Sequence, residues 1–199
     1  MNSFRALAIC AALFNFLGVI PLLGLPGVYR PSRYDEWMAS IVQEPFLHSL
    51  GGALFTVGVG AFFVLGVLFI QKGRFLQGVM LAVGAALNGF TTLFPFVIAY
   101  MIPNPQDGVV LLALALFADA VYNALLGGTM IVEGRFLRKS GLKMLGGAGI
   151  AIGILTIPIC LQVLYERAAL WLGIAGPLWL IWWMWWAIMG SQIEASTEP

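Results

Sequence analysis

The chain has 199 residues, of which 61% are apolar and only 10% charged; its mean hydropathy of +0.95 excludes an ordinary soluble domain and predicts an all-α integral membrane protein. The single histidine excludes sites that need several imidazoles, and the lysines, all outside or at the edge of the apolar runs, exclude a buried Schiff base. A net charge of +1 without a basic cluster or a P-loop pattern implies neither nucleic acid nor nucleotide as partner.

A hydrocarbon core about 30 Å thick takes about 20 apolar residues per helix. Six such runs predict six transmembrane helices, over residues 5–25, 46–70, 75–102, 108–132, 142–165 and 168–190 of one membrane domain, 1–199. The first follows Arg5 but ends in Leu-Pro-Gly without a small-residue cleavage site, so it reads as a retained helix rather than a signal peptide. After it, Ser32 with Asp35 or Glu36 resembles a capping box, and the apolar positions that follow keep helical spacing. A short interfacial helix in the first outer loop is expected, resting in the headgroups or covering a vestibule. Glu44 and His48, four apart, open the second helix and could bind a metal or exchange protons, although the helix dipole alone explains Glu44. Tyr100 and Gln162 are expected at the same level and would complete an outer cluster.

Pro21, Pro95 and Pro158 lie in the outer third of the odd-numbered helices, where each removes a backbone donor and should splay its helix. Gly52, Thr56 and Gly60, Ala82 and Ala86, and Gly149 and Gly153 read as packing faces. Cys10 and Cys160 lie inside apolar stretches and read as small buried hydrophobes. The last helix carries six of the seven tryptophans, with Trp179, Trp182, Trp183 and Trp186 on one face. That face suits either broad lipid anchoring or an aromatic surface for a pigment, a quinone or another subunit.

Seven of the ten basic residues (Arg5, Lys72, Arg74, Arg135, Arg138, Lys139 and Lys143) fall on the side that also holds both termini. Both termini are therefore expected in the cytoplasm of a cell bounded by this plasma membrane. Ile70–Leu76 returns 61 residues later as Ile131–Leu137, and Gly78, Gly84 and Pro95 match Gly141, Gly147 and Pro158. This predicts parallel two-helix repeats, either hairpins 2-3 and 4-5 or, in a threefold version, hairpins 1-2, 3-4 and 5-6.

Asp119 is the one charged residue deep within a run, and a carboxylate there is a functional-site hypothesis by default. Counting from the helix ends puts Asn15, Thr56, Asn88 and Asp119 at similar depth, with Asn123 one turn along the same helix. The expected layer serves either function or interhelical adhesion, with Asp119 bonded to Asn88 and Tyr122.

The very short loops and scarce reactive groups favour a non-catalytic polytopic membrane protein, an accessory subunit or a binder of a small apolar ligand, lipid or pigment. Two alternatives stay open: a small-solute or proton-coupled transporter with Asp119 in the pathway, and an intramembrane enzyme using Asp119 or His48. Expected partners are membrane lipids, other membrane subunits or a bound apolar molecule, and no motif names a cofactor. Six helices, internal termini, a long first outer loop and the pair Ala8 and Ala12 resemble the substrate-binding subunits of energy-coupling-factor vitamin transporters. The internal repeat is not expected of that family.

Overall fold

A computed structural model describes residues 3–26, 28, 30, 33–102, 104–165, 167–190 and 192. Among them are eight α-helices: α1 (Ser3–Val19), α2 (Tyr34–Gln43), α3 (Pro45–Gln71), α4 (Phe75–Thr91), α5 (Phe94–Tyr100), α6 (Val109–Lys139), α7 (Lys143–Thr156) and α8 (Arg167–Trp185). Five stretches are long and apolar enough to cross a membrane: Ser3–Leu22, Pro45–Gln71, Phe75–Tyr100, Val109–Lys139 and Lys143–Leu161.

The long helices close a ring, each packed on the next in the order α1, α3, α4, α6, α7, α8 and back to α1. Phe4, Phe62, Leu65, Leu81, Tyr122, Leu126, Met130, Leu145, Trp179, Trp182, Trp183 and Trp186 fill its centre. Glycine lets backbones meet where the ring is tightest. A methyl at Gly66 would lie 2.7 Å from the Ala82 amide nitrogen, and one at Gly127 would lie 2.7 Å from the Gly153 carbonyl. Gly60, expected on a packing face, has open space around it, and Ala86 is exposed. The other expected positions Gly52, Ala82, Gly149 and Gly153 do meet neighbouring helices, and Gly51, Gly58 and Gly66 on α3 add close contacts that were not expected.

Pro21, Pro95 and Pro158 each mark the end of an α-helix, whereas Pro177 lies within α8. α1 gives way at Ile20–Leu22 to a 3-10 turn containing Pro21, and α7 does the same at Ile157–Val163 around Pro158. In the third span α4 stops at Thr91, and α5 restarts at Phe94 with Pro95 in its first turn. The missing N–H and the ring's clash with the preceding turn account for all three breaks.

α6 runs to Lys139, seven residues past the expected end, because Glu133 inside it is matched by a buried Arg74 and need not reach water. The 61-residue match between Ile70–Leu76 and Ile131–Leu137 therefore does not pair two turns. Gly73 is a left-handed turn residue (φ 75°) between α3 and α4, whereas Gly134 lies within α6. The true equivalent of Gly73 is Gly141 (φ 94°). Both close a helix in the same way: Arg74 N–H bonds the Phe69 carbonyl at 2.8 Å, and Leu142 N–H bonds that of Leu137 at 2.9 Å. Gly73 and Gly141 N–H bond the carbonyls of Ile70 and Arg138. This is the two-bond glycine cap in which a positive φ is required. The turns match 68 positions apart, a register in which the side chains share little beyond the glycine, so similarity of residues points to the wrong partner.

α2 starts after Arg33, which makes no side-chain cap, while Arg33 and Glu36 pair at 3.0 Å. Ser32, the expected cap, lies outside the described residues. One face of α2 buries Trp37, Met38 and Ile41 against Ile98 and Leu112, which seats it on α5 and α6.

Candidate functional site

The break between α4 and α5 opens a cavity of about 30 Å³ at the α2 end of the ring. That volume holds one or two waters. Its polar lining comes from three helices and the break itself: His48 of α3, Asn88 and Thr91 of α4, Thr92 at the break, and Asp119 of α6. Trp37 of α2 and Val28 reach it from the connection between α1 and α3, and Leu22, Gly52, Phe55, Pro95 and Ala115 supply apolar wall.

Asp119 is held from its own helix. Asn123 Nδ2, one turn on, donates to Oδ2 at 3.0 Å and to the Asp119 carbonyl at 2.8 Å. Asn88 Nδ2 approaches Oδ1 from α4 at 3.5 Å, the outer limit of a hydrogen bond. Thr56 and Thr92 meet hydroxyl to hydroxyl at 2.7 Å, linking α3 to the break. Gly52 makes this possible, because any side chain there would collide with the Thr92 carbonyl. His48 is buried, and its Nε2 lies 2.9 Å from Ser40 Oγ of α2. A histidine read as part of a surface cluster thus ties down the helix that covers the cavity.

Other expected members are elsewhere. Asn15 is buried but donates to the Ala11 carbonyl at 2.8 Å and packs on Gly58, so it serves the α1–α3 contact. Tyr122 lies in the central core, and its hydroxyl makes no hydrogen bond among the described residues, so it is not the partner of Asp119 that adhesion required. The outer cluster does not assemble. Glu44 is exposed, Tyr100 is exposed with its ring against Phe96, and the side chain of Gln162 lies outside the description. Only His48 turns inward, because a helix puts residues four apart near one another in angle without making the first of them face the bundle.

The tryptophans correct the lipid-anchoring expectation. Trp179, Trp182, Trp183 and Trp186 are all buried, with Trp183 5.0 Å from Phe62 and Trp186 5.6 Å from Phe69 between ring centroids. Gly149 of α7 makes room for Trp182, whose Nε1 donates to the Leu145 carbonyl at 2.9 Å. Indoles fit inside because small residues on α1 and α7 leave a space that bulky side chains must fill.

At the opposite end lies a cluster absent from the sequence reading. Arg74 and Glu133 form a buried ion pair, and Trp186 Nε1 donates to Glu133 Oε1 at 2.7 Å. The guanidinium is sandwiched 4.4 Å from the centroid of Phe69 and 4.1 Å from that of Phe136. Burial lowers the Arg74 guanidinium from its usual range, and the carboxylate beside it and the two ring faces favour its charged form. The expected helix bounds leave Arg74 between the second and third runs and Glu133 just past the end of the fourth. Thr91 and Thr92 were also missed, although Thr91 stands four residues before Pro95 and so loses the donor for its carbonyl.

Among the described residues no group of three His, Cys, Asp or Glu side chains is placed to hold a metal ion. No protein family, curated protein or solved structure matches the chain.

Proposed function

We propose that this chain is a six-span transporter of a small solute whose path passes Asp119. α8 serves as the sixth crossing and α2 as an interfacial cover, and both termini lie in the cytoplasm below a plasma membrane. The observation that carries the reading is the shared cavity: an intramembrane carboxylate, an amide, two threonines and the only histidine meet beside a broken helix. Broken helices that expose polar backbone at membrane depth are tolerated where they line such a space, and carriers use them for binding. The matching caps at Gly73 and Gly141 support hairpins α3–α4 and α6–α7 as repeated units. Binding a pigment, quinone or vitamin loses support, since the cavity admits only one or two waters and the indole face is filled by its own protein.

The test is transport current from purified protein in liposomes carrying inward sodium and proton gradients, on concentration jumps of amino acids, amines and sugars. The native chain should give current with at least one of these. Asp119→Asn should keep the helical spectrum and a monodisperse profile while losing the current, because an amide preserves shape but not charge. Silence across the panel, or full current in the variant, overturns the reading.

A further inference from the structure

We propose that the cavity at the α4–α5 break binds a monovalent cation of sodium's size, held by Asp119 with oxygen atoms of Thr91 and Thr92. As a coupling-ion site it rests on the transport reading; as a binding site it stands without it.

Three features argue for a cation. The first is a surplus of acceptors. Thr56 and Thr92 share two hydroxyl protons among four acceptors: each other's oxygens, the Gly52 carbonyl at 2.8 Å and the Gly89 carbonyl at 2.9 Å. However the protons are arranged, hydroxyl lone pairs are left over. The second is the helix break. α4 ends at Thr91, so the negative end of its dipole lies at the cavity, and Pro95 has no N–H to offer the Thr91 carbonyl. The third is Asp119, whose charge is costly at membrane depth and is offset by a bound cation.

The donor set also narrows the ion. One carboxylate with neutral oxygens suits a single charge, whereas calcium takes six to eight oxygens, usually with several carboxylates, and magnesium retains much of its water. The imidazole does not make this a transition-metal site, because His48 Nε2 is engaged by Ser40 at 2.9 Å. The cavity of about 30 Å³ leaves room for a partly dehydrated ion and little else. A proton would need the carboxylate alone and gives no use to the surplus hydroxyl oxygens.

The experiment is equilibrium binding of radiolabelled sodium to the purified full chain in detergent, with unlabelled sodium, potassium or choline chloride as competitors at constant ionic strength. Saturable binding is expected, displaced by sodium and not by choline. Asp119→Asn and Thr92→Val should weaken it by about tenfold or more, while Thr92→Ser, which keeps the hydroxyl, retains it. Absence of saturable binding to the native chain overturns the proposal, as does binding unchanged in Asp119→Asn. Solute currents driven by protons, without sodium binding, would sink the cation site and leave the transport reading intact. Sodium binding without any current would do the reverse.

Discussion

A carboxylate and a guanidinium that leave water together depend on each other completely. Glu133 is fully buried and Arg74 8% exposed. Removing one partner leaves the other charge uncompensated, at about 3–5 kcal/mol, whereas replacing both with apolar groups of similar volume is close to neutral. Thermal unfolding in detergent should therefore show Glu133→Ala strongly destabilised and Arg74→Met with Glu133→Leu largely restored. A single variant as stable as the native chain would show that the pair holds nothing together. Close packing has a similar local test in two neighbouring glycines of α7. A methyl at Gly149 would meet the Trp182 ring at 2.7 Å, and one at Gly147 would meet nothing within 4 Å. Gly149→Ala should cost about 1–3 kcal/mol by overpacking, while Gly147→Ala should be neutral or slightly stabilising. Equal melting points for the two would contradict the packing of α8 on α7.

At the scale of elements, the break in the third span does what an unbroken helix could not. Thr92 closes α4 there, its N–H still bonded to the Asn88 carbonyl at 3.1 Å, and its hydroxyl reaches Thr56 on α3, while α5 continues toward α2. α2 then closes the space through Trp37, which lines the cavity and packs with Met38 and Ile41, and through Ser40 on His48. Truncating Trp37 removes the largest side chain of this cover. In a chain with Cys10 and Cys160 replaced by serine, Ala115→Cys should react with a small thiol reagent about tenfold faster when combined with Trp37→Ala, the factor for about 1.4 kcal/mol in the opening equilibrium. An unchanged rate would mean that α2 does not control access.

For the whole molecule, the alternation of the ring places the start of α1, the end of α8 and the two glycine-capped turns at one end and α2 at the other. On the proposed six-span reading, seven basic residues at the turn end against three at the α2 end would put the turn end in the cytoplasm. Gln106→Cys should therefore be labelled by an impermeant reagent added outside intact cells and Lys139→Cys should not. The opposite pattern would invert the molecule.

What the sequence determined by itself was everything that depends on transfer from water to hydrocarbon. The apolar runs and the breaks near Pro21, Pro95 and Pro158 follow from residue chemistry along one chain, because length, hydropathy and a missing N–H act locally. Asp119 stood out for the same reason. Orientation about each helix axis was decided only in the tertiary structure. The face shared by four tryptophans is legible in the spacing, but whether it meets lipid or core depends on the glycines of α7 and the alanines of α1 that leave it room. His48 and Asp119 lie 71 positions apart and belong to one cavity only because α4 breaks between them and α2 folds over the gap. Glu133 read as a loop charge until Arg74, from another hairpin, supplied its counter-ion. In an apolar chain the solvent selects which segments are buried, while the fit between helices selects which side chains meet.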